Sequence, residues 1–266
     1  MNIGILSKRS TNLAGKIKKY YENKGFNVTI YTLEDLTINE SLLSNDFYIL
    51  KSKNLFFLYA GFFIDANDVP VIPNPQITFL QKNRIQSHFL LEKAGLLMPR
   101  FYFSTPEILA DELDSEDFPL IIKPVMGSGS KGVKVINSIQ EIKADGKKFV
   151  YLERYIEGTH YNVYFIDNQV CTLIKSPLFN EHVDMEKVET PKDINDLIKK
   201  WRLFLAENNL FGHLDIVREE SSKELYVVDP GSFPEFTNWK CDGSPVEKIC
   251  SLILEQAKKL RNKSKK

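Results

Sequence analysis

Apolar and polar positions follow two rhythms along this chain. Asn2–Ser7 (NIGILS) is a compact apolar run that predicts a buried strand. Thr11–Lys24 follows as a helix, with Leu13, Ile17 and Tyr20 near helical spacing and Gly25 as its stop. Asn27–Tyr31 (NVTIY) alternates as a second strand, Asp46–Leu50 (DFYIL) reads as a third ending at Lys51-Ser52-Lys53, and Pro70–Ile72 as a short fourth. Strand–helix–strand alternation predicts a parallel, doubly wound first lobe over residues 1–78.

The rhythm then changes. Lys82–Ala94 predicts a helix closed by Gly95, with Pro99 beyond it, and Pro106–Leu113 a shorter one. Phe118–Lys123 and Val133–Ile136 predict strands on either side of a small-residue loop, and Phe149–Tyr155 closes a middle lobe over 79–155. A third lobe, 156–260, opens with a hairpin of Asn162–Ile166 and Val170–Ile174 turning at Asp167-Asn168. Pro191–Glu207 predicts a packing helix. Thr190 is its expected cap, Pro191 suits the first turn, and Ile194, Leu197, Ile198, Trp201 and Leu205 share one face. Strands follow at His213–Val217 and Leu225–Asp229, then a helix at Pro245–Leu260 and a basic tail, 261–266, expected to be disordered.

The chemistry begins at FPLIIKPVMGSGSKGV, Phe118 to Val133. A lysine ending a buried strand, beside a loop rich in backbone N–H groups (Gly127, Ser128, Gly129, Ser130), suits a nucleotide's phosphates. Walker A spacing is absent, and the strand–loop–strand order predicts a hairpin flap over the phosphates. Asp215 in GHLDIV and Asp229 in LYVVDPGSF belong to the two late strands. As antiparallel neighbours they would put two carboxylates on one face, which suits hard Mg²⁺; the alternative is a strand cap and a turn acid. Lys8, Arg9, Lys51, Arg84, Lys123 and Lys175 lie at expected strand or helix ends, where ligands of open α/β sheets collect. Glu153-Arg154-Tyr155 is a candidate adenine hinge. The histidines show no metal-ligand spacing, and no nucleophile elbow or dinucleotide fingerprint is present.

Bulk properties narrow the class. The chain has 266 residues, 43% hydrophobic and 26% charged, with zero formal net charge. That balance predicts a globular protein without strong attraction to nucleic acid or membrane. No apolar run reaches about 18 residues, and the N-terminus reads as a strand rather than a signal peptide. The three cysteines, Cys171, Cys241 and Cys250, lack metal-like spacing. They predict a reducing, cytoplasmic setting without a disulfide.

The ordered set resembles the ATP-grasp superfamily. Asn83-Arg84 opens a helix, then come IIKPVMGSGSKGV, LERYIEG, NVYFIDNQVCTLIKS, LFGHLDIV and LYVVDPGSFPEF. The resemblance implies an α/β, three-lobed fold with ATP between two α+β lobes. It implies that Arg84 and Lys123 hold the α- and β-phosphates, and that Ser128–Ser130 cover them. Glu153, Arg154 and Tyr155 would meet adenine, Lys175 the γ-phosphoryl group, and Asp215 and Asp229 Mg²⁺. Two branches are similar: carboxylate–amine ligases, which form an acyl phosphate that an amine attacks, and inositol-trisphosphate 5/6-kinases, which phosphorylate a hydroxyl. The acceptor would be a small carboxylate and amine or a polyanionic inositol phosphate, held near Lys8, Arg9, Lys51 and Asn162. A nucleotide-binding protein without catalysis is the remaining alternative. Two departures stand out. Gly231 replaces the family's usual Asn ligand, with Ser232, Glu235 or water as substitutes, and Asn162 replaces a basic residue.

Overall fold

The computed structural model describes residues 1–10, 12–127, 132–143, 148–175, 185–206 and 210–263, the side chains of Asn12 and Lys263 excepted. Strands β1 (Asn2–Leu6), β2 (Asn27–Tyr31), β3 (Phe47–Leu50) and β4 (Val71–Ile72) form a parallel sheet in the order β2-β1-β3-β4. Ile3 and Ile5 pack against Leu13, Ala14, Ile17 and Tyr21 of helix α1 (Asn12–Glu22). Leu6, Tyr48 and Leu50 pack against Phe57, Leu58 and Ile64 of helix α2 (Leu55–Asp65). Helices therefore cover both faces, as the doubly wound expectation requires. Gly4 permits the closest approach here: a Cβ there would lie 2.1 Å from Cε1 of the Tyr48 ring.

Helix α2 is absent from the sequence reading because LFFLYAGFFID is apolar all round and has no polar stripe to reveal a helical period. Its start is set by Asn54, whose side chain accepts from the Phe56 N–H at 3.0 Å. Helix α3 (Pro75–Lys82) begins the same way at Asn74 and spans the expected lobe boundary at 78. Helix α4 (Arg84–Lys93) starts directly after it, capped by Asn83.

The middle lobe is an antiparallel sheet of β5 (Phe101–Ser104), β6 (Leu120–Lys123), β7 (Lys134–Ile136) and β8 (Val150–Arg154), in the order β5-β8-β6-β7. Helix α5 (Pro106–Glu112) and the residue after it bring Leu109 and Leu113 onto Leu120, Ile136, Val150 and Leu152. The C-terminal lobe is an antiparallel sheet of β9 (Gly158–Ile166), β10 (Gln169–Lys175), β11 (Met185–Val188), β12 (Phe211–Glu219) and β13 (Leu225–Gly231), in the order β11-β10-β9-β12-β13. One face packs on helix α6 (Lys192–Leu205) through the expected stripe of Ile194, Leu197, Ile198, Trp201 and Leu205. The helix begins differently from the expectation. Pro191 is its N-cap, and the Thr190 hydroxyl is bonded to that of Thr172 at 2.9 Å instead of capping.

Two further expectations are corrected. Helix α7 (Pro245–Lys263) runs on into the supposed tail, where Arg261 pairs with Asp46 at 2.8 Å. Its Ile249, Ile253 and Ala257 join the core shared by the first and third lobes, and that packing orders the extra turn. Cys171 on β10 and Cys241 are joined in a disulfide, with Cα atoms 5.9 Å apart, while Cys250 is free and buried. The sequence separation of 70 between the partners conceals this proximity in the sequence. Among the described residues no helix is long and apolar enough to cross a membrane.

Candidate active site

Strand alternation and register build the site. On β12, His213 and Asp215 share one face, opposite Tyr164 and Asn162 of β9 and opposite Gly231 and Asp229 of β13. The expected pairing of the two aspartates is thus met in register. A bulge follows at once, since Ile216 pairs with Val227 and leaves Val228 as the extra residue. The Val228 carbonyl accepts from Lys123 Nζ at 3.5 Å.

Each carboxylate already has a cation. Lys175, at the end of β10, places Nζ 3.1 Å from Asp215 Oδ2, and the Asn162 amide donates to Asp215 Oδ1 at 2.9 Å. Arg84, in the first turn of α4, donates from Nε to the Pro124 carbonyl at 2.9 Å and from Nη1 to Asp229 Oδ1 at 3.3 Å. Burial alone would raise the Asp215 carboxyl; Lys175, His213 and the bonds from Lys175 and Asn162 outweigh it and hold it below the ordinary range.

Lys123, the last residue of β6, is buried and paired with Glu153 of β8. Glu153 also accepts from the Tyr151 hydroxyl at 2.7 Å, and Tyr151 is bonded to His88 Nε2 at 2.5 Å. Burial would raise the Glu153 carboxyl, but Lys123, His88 and Tyr151 bring it down to about 2. Glu153 therefore faces Lys123, where the sequence reading set it against adenine. The Arg154 and Tyr155 N–H groups are likewise engaged, with the carbonyls of Arg100 at 2.8 Å and Pro119 at 3.1 Å. Both residues still line the cleft, together with Arg84, Lys123, Lys175, Asp215 and Asp229.

Of the loop expected over this cleft, Gly127 is described, and a Cβ there would lie 2.6 Å from Pro124 Cγ. Ser128, Gly129 and Ser130, expected as the flap, lie outside the described residues. A separate cavity of about 370 Å³ is lined by Lys8, Arg9, Lys51 and Lys53 together with Phe233 and Glu235. Lys51 is buried and held by Glu235 at 2.5 Å. Burial pushes the Lys53 ammonium down to about 8, against the pull of Asp229.

Sequence reasoning missed His88, Tyr151 and His160 as parts of the site, because nothing in the local pattern sets them apart from ordinary buried residues. His160 is buried, with Nε2 unpartnered, and burial followed by Lys175 lowers its pKa.

The donor set fits a hard divalent cation. Two carboxylates share one face, and beside them the Asn162 Oδ1 is buried without a hydrogen-bond partner. Such a cleft, between an antiparallel lobe carrying a strand-end lysine and a second lobe carrying paired aspartates, defines a nucleotide-grasping architecture. Residues 82–190 match the model of the ATP-grasp domain family. That match spans 109 of the 266 residues and, with the fold, supports an ATP-grasp superfamily member. It is 22% identical over 205 residues to a carbamoyl-phosphate synthase of Methanobrevibacter smithii, a match covering 70% of this chain and 55% of the synthase. It is 23% identical over 179 residues to D-alanine–D-alanine ligase A of Bacillus cereus, covering 57% of this chain and 59% of the ligase. The chain thus matches between half and three fifths of the length of these curated relatives. Among solved structures, the ATP-grasp ligase PsnB complexed with minimal precursor, Mg and ADP superposes with a TM-score of 0.69 at 15% identity, covering 96% of this chain and 97% of that one. That likeness establishes the shared fold.

Proposed function

We propose that the chain binds ATP with Mg²⁺ between its middle and C-terminal lobes and transfers the γ-phosphoryl group to a carboxylate, whose acyl phosphate an amine then captures. The observation that carries this reading is the convergence of Arg84, Lys123 and Lys175 with the Asp215–Asp229 pair in one cleft. Arg84 and Lys123 would hold the α- and β-phosphates, and Lys175 would follow the γ-phosphoryl group as charge shifts during transfer. Asp215, Asp229 and the free Asn162 oxygen would hold Mg²⁺, which when bound neutralises phosphate charge. The carboxylate oxygen bonds to the γ-phosphorus as the bond to the β-phosphate bridging oxygen breaks and ADP leaves. The amine nitrogen then bonds to the acyl carbon, inorganic phosphate leaves, and the amine proton passes to solvent or phosphate. The ligase name of the Bacillus cereus relative supports this choice of chemistry.

The cleft encloses about 60 Å³, whereas ligand pockets run to roughly 300 Å³ or more. Nucleotide entry therefore requires the middle lobe to move off the C-terminal lobe, breaking the contacts of Arg84 with Asp229 and of Lys123 with Val228. Arg84 then becomes free for phosphate, and Lys123 exchanges the Val228 carbonyl for it while staying paired with Glu153. The acceptor would enter from the cavity of Lys8, Arg9, Lys51 and Lys53, whose charge favours an anionic acceptor. That same cationic lining supports a second reading, an inositol-phosphate kinase.

Hydroxylamine trapping separates the two. Incubation with ATP, Mg²⁺ and candidate carboxylates should give a hydroxamate and ADP. A stable phosphorylated alcohol from an inositol phosphate, with no hydroxamate from any carboxylate, would overturn the ligase reading in favour of the kinase.

A further inference from the structure

The cationic cavity does not stand alone. Glu235, which lines it, also lines a larger cavity of about 670 Å³ beside helix α1. Leu13, Lys16, Tyr20 and Asn23 recur at helical spacing and give this second cavity one wall, with Lys19 next to them. The other wall is the chain from Glu235 to Glu247, which presents Phe236, Trp239 and Val246. Both volumes fall within the range of ligand pockets, roughly 300–1,000 Å³.

The second wall is fixed in place. The Cys171–Cys241 bridge ties it to β10. On the same strand Gln169 donates to the Asp242 carbonyl at 3.3 Å, and Lys248 of α7 donates to that carbonyl at 2.6 Å. The Trp239 indole N–H donates to the Gly243 carbonyl at 3.1 Å. The Phe236 ring is buried, its centroid 5.7 Å from that of Tyr164 and 6.0 Å from that of Trp239. Its backbone has φ of +53°, a conformation that a bulky residue keeps only where its surroundings impose it. A wall ordered in advance lowers the ordering cost of binding against it.

Charge decides the occupant. Among the described residues, the two cavities present six cations, Lys8, Arg9, Lys16, Lys19, Lys51 and Lys53, against two carboxylates, Glu235 and Glu247. The whole chain has zero formal net charge, so this excess is local. A small carboxylate would fill the first cavity and leave the second unused. An extended peptide reaches both, at about 3.3 Å per residue. Acidic and apolar side chains along it would meet the cations and the aromatic rings together.

We propose that the acceptor is an acidic peptide: one side-chain carboxylate enters the cationic cavity, and the flanking residues lie in the groove between α1 and the 235–247 wall. The carboxylate oxygen takes the γ-phosphoryl group as ADP leaves. The inference rests on the carboxylate–amine ligase reading above and names the class of its acceptor.

The test supplies ATP, Mg²⁺ and hydroxylamine with a blocked octapeptide library that has glutamate fixed at the centre and acidic, aromatic or basic residues at its flanks. The hydroxylamine nitrogen bonds to the acyl carbon, inorganic phosphate leaves, and mass spectrometry locates the hydroxamate. Sequences with acidic flanks should be labelled ahead of those with basic flanks, and the reverse order would overturn the charge argument. The best-labelled sequence, resynthesised, should exceed acetyl-glutamate amide, the same carboxylate without a flanking chain, by about tenfold or more in kcat/KM. Equal kcat/KM for the two would overturn the inference and leave the ligase reading intact, and so would hydroxamate from small carboxylates alone. Hydroxamate from no carboxylate would overturn both. Lys16→Glu/Lys19→Glu reverses two exposed charges on the groove. It should raise KM for the peptide about tenfold with kcat unchanged, and leave kcat/KM for acetyl-glutamate amide as in the wild type. An unchanged peptide KM, or an equal loss on both acceptors, would overturn the role given to the groove.

Discussion

Lys123→Met tests the buried polar chain beneath the cleft. Glu153 is 2% exposed, and its carboxyl stands at about 2 against an ordinary 4.5. That drop corresponds to about 3 kcal/mol of stability at roughly 1.4 kcal/mol per pH unit. Because the folded-state value is depressed, this stability is present above pH 4.5 and is lost as the pH falls from there towards 2. Removing Lys123 reverses the sign. Burial, opposed only by His88 and Tyr151, then raises the carboxyl, and keeping it charged costs more as the pH rises. Lys123→Met should therefore lose about 3–5 kcal/mol at pH ~7.5 and distinctly less at pH ~5, where Glu153 takes up a proton. Urea denaturation of wild type and variant at the two pH values measures both. Lys123→Met/Glu153→Gln should recover most of the loss, because no buried charge is left alone. A loss below about 0.5 kcal/mol, the ordinary size for a surface change, equal at both pH values, would refute the reasoning. The double variant is also the cleaner probe of phosphate binding, since any loss of ATP affinity in it is separated from misfolding.

Further outcomes follow from the same geometry. Gly231→Ala should cost about 1–3 kcal/mol through its clash with the His213 ring, and His213→Ala should relieve it; equal stability of wild type and Gly231→Ala in urea would contradict the packing. The Cys171–Cys241 bridge closes a separation of 70 residues, so its reduction should lower stability by about 4 kcal/mol. Thiol titration of the unfolded, unreduced protein should find one free cysteine, and three would contradict the bridge. ATP with Mg²⁺ at about 100 times its dissociation constant should stabilise the protein by about 2.7 kcal/mol; no thermal shift would count against the nucleotide site.

The sequence made the frame of the cleft legible where chemistry and strand pattern coincide in one segment. Lys123 ends an apolar run, so its place at a strand end could be read directly. Asp215 and Asp229 lie in strands whose alternation predicted a shared face, and the register sets them opposite each other. Helix α6 showed its stripe in full. What could not be read depends on distant partners. The Lys123–Glu153 pair spans 30 residues, and so Glu153 looked like an adenine acceptor. The ring of His213 against Gly231 turns an apparent missing ligand into a filled space, which only cross-strand register shows. Helix α2 hid because its sequence is apolar even where Leu55 and Tyr59 are exposed, and β5 because a short FYFS run is ambiguous without its partner β8.

Calorimetric titration of ATP tests the central claim, that the cleft grasps nucleotide and cation together. Titrations of the wild type with and without Mg²⁺, and of Asp229→Asn with Mg²⁺, measure the coupling. The account predicts a single site per chain, at least about tenfold tighter with Mg²⁺, with that gain lost in Asp229→Asn. Binding of equal strength with and without Mg²⁺, or unchanged in Asp229→Asn, would contradict it.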